Sequence, residues 1–261
     1  QTIMLDTQDG QKVMRKISLA QAYPSVNPAE LTNQEFNGLL WRWFKDNQST
    51  FWKSYTQEFI QRFGFEPEKH PPYLTMALGA GSVTPLQMAS AYSVFANGGY
   101  FVNPYLIDKV TDAKGQILFQ ADPVRVGKNA LRVLDERTTF VMDSMLQEIT
   151  KTGTAARARP ALGRNDIAGK TGTTNDSHDA WFAGYNPRVS AVAWIGFDNP
   201  KSLGDRETGG GLALPVWINF MSVALRGVPE INRAPPPGVS EYDGDWIIPE
   251  FAPLGGVRQL N

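Results

Sequence analysis

The 261 residues carry 25 Lys and Arg against 26 Asp and Glu, a net charge of −1, so there is no bulk electrostatic case for nucleic acid or for an anionic membrane. An apolar fraction of 42% and a charged fraction of 20% describe an ordinary globular chain, long enough for one large domain or two modest ones. The lack of cysteine excludes disulfides, thiolate metal sites and a cysteine nucleophile, and with His70 and His178 as the two histidines no metal site or cofactor is expected. No apolar run approaches the ~20 residues that a membrane-spanning helix needs. The opening QTIMLDTQDGQK lacks the charged and apolar blocks of a signal peptide and begins with Gln. The sequence is therefore expected to be a processed, excised or truncated piece, with any membrane anchor in N-terminal regions outside it.

Residues 1–72 start with a strand-and-turn pattern, TIMLDTQDGQKVMRKISL, and then become aromatic and helical. Phe36, Leu39, Leu40 and Trp43 fall at helical spacing, as do Tyr55, Phe59, Ile60 and Phe63, and both sets read as core-facing helices. In SVTPLQMASAYSVFANGGY, Thr84 can cap a helix, Pro85 takes its first position and Gln87 stands three after the cap. Leu86, Ala89, Tyr92, Phe95 and Ala96 then make one face, and Gly98 suits a left-handed stop. YFVNPYLIDKVTDAKGQILFQ reads as two strands about an Asp-Ala-Lys-Gly turn.

DERTTFVMDSMLQEIT predicts a helix with Phe140, Val141, Met145 and Ile149 among its apolar positions. Three strands follow, in DIAGKTGT, DAWFAGYN and VSAVAWIGFDN, and short links make them antiparallel neighbours. GGGLALPVWINFMSVALRG closes with a helix presenting Trp217, Phe220, Met221 and Ala224, and the Pro/Gly-rich stretch beyond it reads as a tail or linker. An antiparallel sheet flanked by helices indicates the α+β class.

The string Lys-Thr-Gly-Thr occurs twice. Lys151-Thr152-Gly153 ends the predicted helix, where a cation in the last turn and a stop glycine account for it. Lys170-Thr171-Gly172 lies inside a strand pattern, where it leaves the apolar run for a polar loop. Alternation puts Lys170 and Gly172 on one face and Thr171 and Thr173 on the other. A strand glycine marks close approach of a ligand or another backbone. A cation with two hydroxyls suits a carboxylate, and a free strand edge can pair with an extended peptide or polarise a carbonyl.

GKTGTTNDSHDAWFAGY resembles the third signature of the penicillin-interacting serine transpeptidases, in the form seen in class A penicillin-binding proteins. LTMALGAGSVTPLQMASAYSVFANGGYFVNPYLI, TKTGTAARA and GGGLALPVWINFM are similar to that family at matching spacings, from about Phe59 to about Gly227. The resemblance implies a penicillin-binding transpeptidase (β-lactamase-like) fold, incomplete here. It divides the chain into a poorly matching segment 1–58, the C-terminal part of the transpeptidase domain at 59–227, and a Pro/Gly-rich tail at 228–261. It also implies acyl transfer from a peptidoglycan stem peptide through an acyl-enzyme, with β-lactams as inhibitors, at the periplasmic face of the bacterial inner membrane among cell-wall synthesis partners. Lys170 then supports the electrostatics of the groove. Thr171, Gly172, Thr173 and Thr174 form the substrate-binding strand, and the Thr173 N–H serves as one oxyanion donor.

The family's other two motifs match less well. Ser25-Val26-Asn27 is the candidate Ser-x-Asn, with Ser25 and Asn27 as site residues, although PAELTNQEFNGLLWRW follows it in place of the expected apolar helix. No Ser-x-x-Lys occurs in the 261 residues: Ser49 precedes Lys53 by four, and both follow Ser25 where the family order requires them to precede it. Two readings stand, a piece of a longer transpeptidase or a rearranged, non-catalytic peptide-binding module.

Overall fold

The computed structural model describes residues 56–71, 73, 75, 76 and 79–251, together with the backbone of two short strands, and it divides into two compact units, Gln1–Ser82 and Val83–Asn261. In the first unit β1 (Leu5–Asp6) pairs antiparallel with β2 (Lys12–Val13), Leu5 opposite Val13. Residues 56–61 are helical, the Phe59 and Phe63 rings lie 5.5 Å apart, and Phe63 is buried. Gln57 Nε2 donates to the carbonyls of Pro67 and His70 at 3.1 and 2.9 Å, which ties this helix to the turn that follows. Ser25, Asn27, Tyr55 and the helix expected around Phe36 to Trp43 lie outside the described residues.

The second unit opens with α1 (Pro85–Ala96), which starts as its capping sequence predicts. Thr84 Oγ1 accepts the Gln87 N–H at 3.1 Å, and Gln87 Oε1 accepts the Thr84 N–H at 2.9 Å. β3 (Tyr100–Phe101) pairs with β6 (Leu131–Arg132), and β4 (Lys109–Thr111) pairs with β5 (Ile117–Gln120) in the expected ribbon. The turn of that ribbon is held by the Asp112 carboxylate, which accepts the N–H groups of Lys114 and Gln116 at 2.9 and 2.8 Å. α2 (Glu136–Lys151) is capped by Asp135, and the short α3 (Ala158–Leu162) follows it. The sheet that organises the unit is β7 (Ala168–Thr173), β8 (Ala180–Tyr185) and β9 (Ser190–Ile195), antiparallel in that order. A π-helical turn, Gly209–Ala213, leads into α4 (Leu214–Ala224).

Strand alternation sorts the sheet into two faces, each covered by helices. On one, Ala180, Phe182 and Ala193 pack against Leu214, Trp217 and Met221 of α4 and against Ala155, Ala158 and Ile167. The Phe182 and Trp217 rings meet edge to face at 4.8 Å, and Trp217 Nε1 donates to the Ala191 carbonyl at 3.1 Å. On the other, Ala168 and Tyr185 pack with Tyr92, Phe95 and Ala96 of α1 and with Leu146 of α2. Among the described residues no helix is long and apolar enough to cross a membrane.

Two helix faces differ from their sequence expectation. On α1 Tyr92, Phe95 and Ala96 pack on the core as expected, but Ala91 and Val94 are buried as well and Leu86 is 52% exposed. Leu86 sits in the first turn of the helix. On α2 the buried positions are Thr139, Asp143, Leu146 and Thr150, while Met145 is 60% exposed. Polar groups can occupy this face because each has a partner. The Tyr185 hydroxyl donates to Asp143 Oδ1 at 2.7 Å, and Thr150 Oγ1 donates to the Ile167 carbonyl at 2.8 Å. Burial, aided by the Asp143 charge, pushes the Tyr185 hydroxyl well above its ordinary pKa and keeps it a donor.

The Pro/Gly-rich residues beyond α4 run back along this unit. Arg233 donates to the carbonyls of Phe95, at 2.8 Å, and Ala96 at the end of α1. β10 (Ser240–Tyr242) and β11 (Asp245–Ile247) form a hairpin that sets the Trp246 ring 5.3 Å from Phe140 of α2. Phe140 therefore packs against the returning segment.

Candidate active site

β7 is an edge strand: among the described residues it pairs with β8 alone. Just past its end, the Thr174 N–H donates to the Asp179 carbonyl at 3.1 Å, which makes Thr174 and Asp179 a hydrogen-bonded pair of the ladder. Antiparallel ladders alternate such pairs with open ones. With Thr173 opposite Ala180 and Thr171 opposite Phe182, the N–H and C=O groups of Thr171 and Thr173 are directed away from β8, along the free edge. Consistent with this, the Thr171 carbonyl accepts Lys170 Nζ at 2.8 Å.

The side chains follow from the same alternation. Lys170 is exposed, and its Nζ also reaches Thr171 Oγ1 at 3.3 Å. Thr171 Oγ1 lies 2.8 Å from Thr154 Oγ1, and Thr173 Oγ1 accepts the Gly209 N–H at 3.0 Å. Thr173 Oγ1 thus accepts from the scaffold and keeps a proton that can be given to an anion, while the Thr154–Thr171 bond can run in either direction. The Thr174 hydroxyl accepts the Asp179 N–H at 2.7 Å and holds the β7–β8 turn, which Asp179 also ties to Trp194 Nε1 at 2.8 Å.

Glycines allow three backbones to meet here. A Cβ on Gly209 would stand 2.2 Å from the Trp181 carbonyl oxygen and 2.4 Å from that of Gly172, so the close approach expected at Gly172 is made by the Gly209 backbone. Arg157 donates to the carbonyls of Gly210 and, at 3.3 Å, Gly211, pinning this turn beside β7. Gly209→Ala is expected to force the turn off the strand and to break the Gly209–Thr173 bond. A drop in melting temperature of several degrees, with loss of protection at the Gly209 amide in hydrogen exchange, is the expected result. An unchanged amide at residue 209 would show that the turn tolerates the methyl.

The two Lys-Thr-Gly-Thr strings do separate as their settings predict, but they touch. Lys151 is in the last turn of α2, exposed and 3.4 Å from Glu148. Gly153 has no positive φ; it is needed because a Cβ there would lie 2.9 Å from Ile149 Cα. The next residue, Thr154, reaches the strand copy. Sequence reasoning missed Thr154, Arg157 and Gly209–Gly211 as site neighbours, and the three consecutive glycines are the signal that could have found the last. Lys170, Thr171, Gly172 and Thr173 lie together on β7 with Thr174 next, whereas Ser25 and Asn27 lie outside the described residues.

The family model for the penicillin binding protein transpeptidase domain matches residues 49–222, and the chain belongs to that family. It is 49% identical over 196 residues to the penicillin-binding protein 1A of Neisseria lactamica, covering 75% of this chain and 24% of that protein. To the penicillin-binding protein 1A of Pseudomonas aeruginosa it is 41% identical over 242 residues, covering 76% of this chain and 29% of that protein. Among solved structures, penicillin-binding protein 1A from Haemophilus influenzae gives a TM-score of 0.67 at 35% identity, over 72% of this chain and 33% of that one. PonA1 from Mycobacterium tuberculosis in complex with penicillin V gives 0.53 at 28% identity, over 64% and 45%. The chain spans about a quarter of the length of the curated relatives it matches.

Proposed function

We propose that this chain forms the C-terminal part of the transpeptidase domain of a peptidoglycan D,D-transpeptidase, a β-lactam target acting at the periplasmic face of the bacterial inner membrane. The observation that carries this reading is the free edge of β7, where two hydroxyl groups, an ammonium group and an outward N–H converge. Thr171 and Thr173 bind the terminal carboxylate of a stem peptide, and Lys170 supplies the positive potential that draws it in. The extended peptide pairs with the edge, and the Thr173 N–H receives the developing oxyanion, a contact of the kind worth ~3 kcal/mol of barrier.

In the reaction, a serine Oγ attacks the penultimate D-Ala carbonyl, forms an ester and releases the terminal D-Ala as its amine. An amine of a neighbouring stem then attacks the ester, forms the cross-linking amide and returns the serine. Residues 59–227 hold the binding strand, and the segment beyond them is a tail that folds back along the domain. Ser25 and Asn27 are assigned as the Ser-x-Asn motif. The attacking serine is not assigned within these residues, because no Ser-x-x-Lys occurs in them.

Fluorescent penicillin tests the reading in the full-length protein. A label that survives denaturation is the expected result. The missing Ser-x-x-Lys favours one competitor, a non-catalytic peptide-binding module or scaffold. Absence of a covalent label together with retained affinity for a D-Ala-D-Ala peptide would establish that alternative.

A further inference from the structure

The geometry points to Thr154 as a positioning residue that commits the Thr171 hydroxyl to donating towards a ligand carboxylate. This rests on the carboxylate-binding reading of β7 and adds a residue from the string at the end of α2. Thr154 Oγ1 stands 2.8 Å from Thr171 Oγ1, and either oxygen could be the donor. A hydroxyl has one proton to give and two lone pairs to accept with. Lys170 Nζ, a donor only, already faces Thr171 Oγ1 at 3.3 Å and occupies one of those lone pairs.

The direction of the Thr154–Thr171 bond therefore decides what Thr171 offers outward. If Thr171 donates to Thr154, it turns a lone pair towards the ligand and repels an anion. If Thr154 donates to Thr171, both lone pairs are filled and the remaining proton points out. A carboxylate selects the second arrangement, giving a chain in which each donor strengthens the next. The pair is held in register from the side: a Cβ on Gly210 would meet the Thr154 carbonyl oxygen at 3.2 Å and Thr171 Cγ2 at 3.7 Å. Arg157 fixes the Gly210 and Gly211 carbonyls, so the glycine turn braces both threonines.

The test compares acylation rates of the full-length protein by benzylpenicillin and by its methyl ester, which lacks the carboxylate. Thr154→Val is expected to slow reaction with the acid about five- to tenfold and to leave the ester within about twofold, the loss of one hydroxyl hydrogen bond. Thr154→Ser is expected to restore the acid rate, and Thr154→Ala, which removes the hydroxyl without adding bulk, to repeat the valine result. Equal losses on acid and ester would assign Thr154 a purely structural role and overturn the proposal. If Thr171→Val abolishes the preference for the acid while Thr154→Val keeps it, the proposal fails and the reading of β7 survives. Should Thr171→Val keep the preference, or the unaltered protein neither react with the two compounds nor bind a D-Ala-D-Ala peptide, the reading of β7 fails and takes the proposal with it.

Discussion

Replacing Lys170 by Ala is expected to slow penicillin acylation of the full-length protein by about a hundredfold or more, the scale of removing one preorganised donor or charge from such a site. Lys151→Ala should leave the rate within about twofold, as expected for an exposed surface charge. The contrast follows from where the two identical strings fall. Lys170 Nζ bonds to Thr171 O and faces Thr171 Oγ1, the group assigned to the substrate carboxylate. Lys151 pairs with Glu148 across one turn of helix, both side chains being more than half exposed. Because Lys170 is itself exposed, the alanine variant should keep its circular dichroism spectrum and melting temperature, so that lost labelling reports the site. Equal losses from the two variants would undo the choice between the strings.

Arg164→Ala is expected to cost about 3–5 kcal/mol of unfolding free energy, read from urea titrations, because it leaves a buried carboxylate without its partner. Arg164 grips Asp166 with two bonds, Nε to Oδ1 at 2.8 Å and Nη2 to Oδ2 at 2.7 Å, and also donates to the Val228 carbonyl at 2.6 Å. Asp166 additionally accepts the Ile231 N–H at 3.2 Å, so a single carboxylate joins the entry to β7 with the segment leaving α4. Burial alone would raise the Asp166 pKa. The hydrogen bonds from Arg164, Ile231 and Asn186, with the Arg164 charge, outweigh it and hold the carboxyl below its ordinary range. A carboxyl depressed in the folded state stabilises fully above its unfolded value of about 4 and stops doing so as the pH falls through the folded one. Arg164→Ala should therefore flatten the acid arm of the stability profile below about pH 4. A loss under about 1 kcal/mol would mean that water replaces the guanidinium at Asp166.

Much of the second unit was legible in the residues, and the misses share a cause. The capping box at Thr84 and Gln87, the ribbon about Asp112 and the three strands with their alternation all depend on groups a few positions apart. On α2 periodicity, which counts apolar residues, finds Ile149 but not the buried polar positions Thr139, Asp143 and Thr150. What buries Asp143 and Thr150 is a hydroxyl on β8 and a carbonyl at the entry to β7, partners that a helix pattern does not contain. Phe140, one of the apolar positions of α2, meets the ring of Trp246 from a stretch far along the chain whose composition suggests a tail or linker.

The site divides in the same way. Sequence alone determined that Lys170, Thr171, Gly172 and Thr173 alternate along one strand, because a strand repeats every two residues whatever surrounds it. It also determined that the other Lys-Thr-Gly ends a helix, since that depends on the turn preceding it. Only the tertiary structure decided which edge of β7 is open and that Gly209 takes up the Thr173 hydroxyl from 36 positions away. It alone brought Thr154 to Thr171 across 17 residues. Those contacts exist because closing the chain onto a covered sheet brings distant polar groups together, and local periodicity carries no record of that closure.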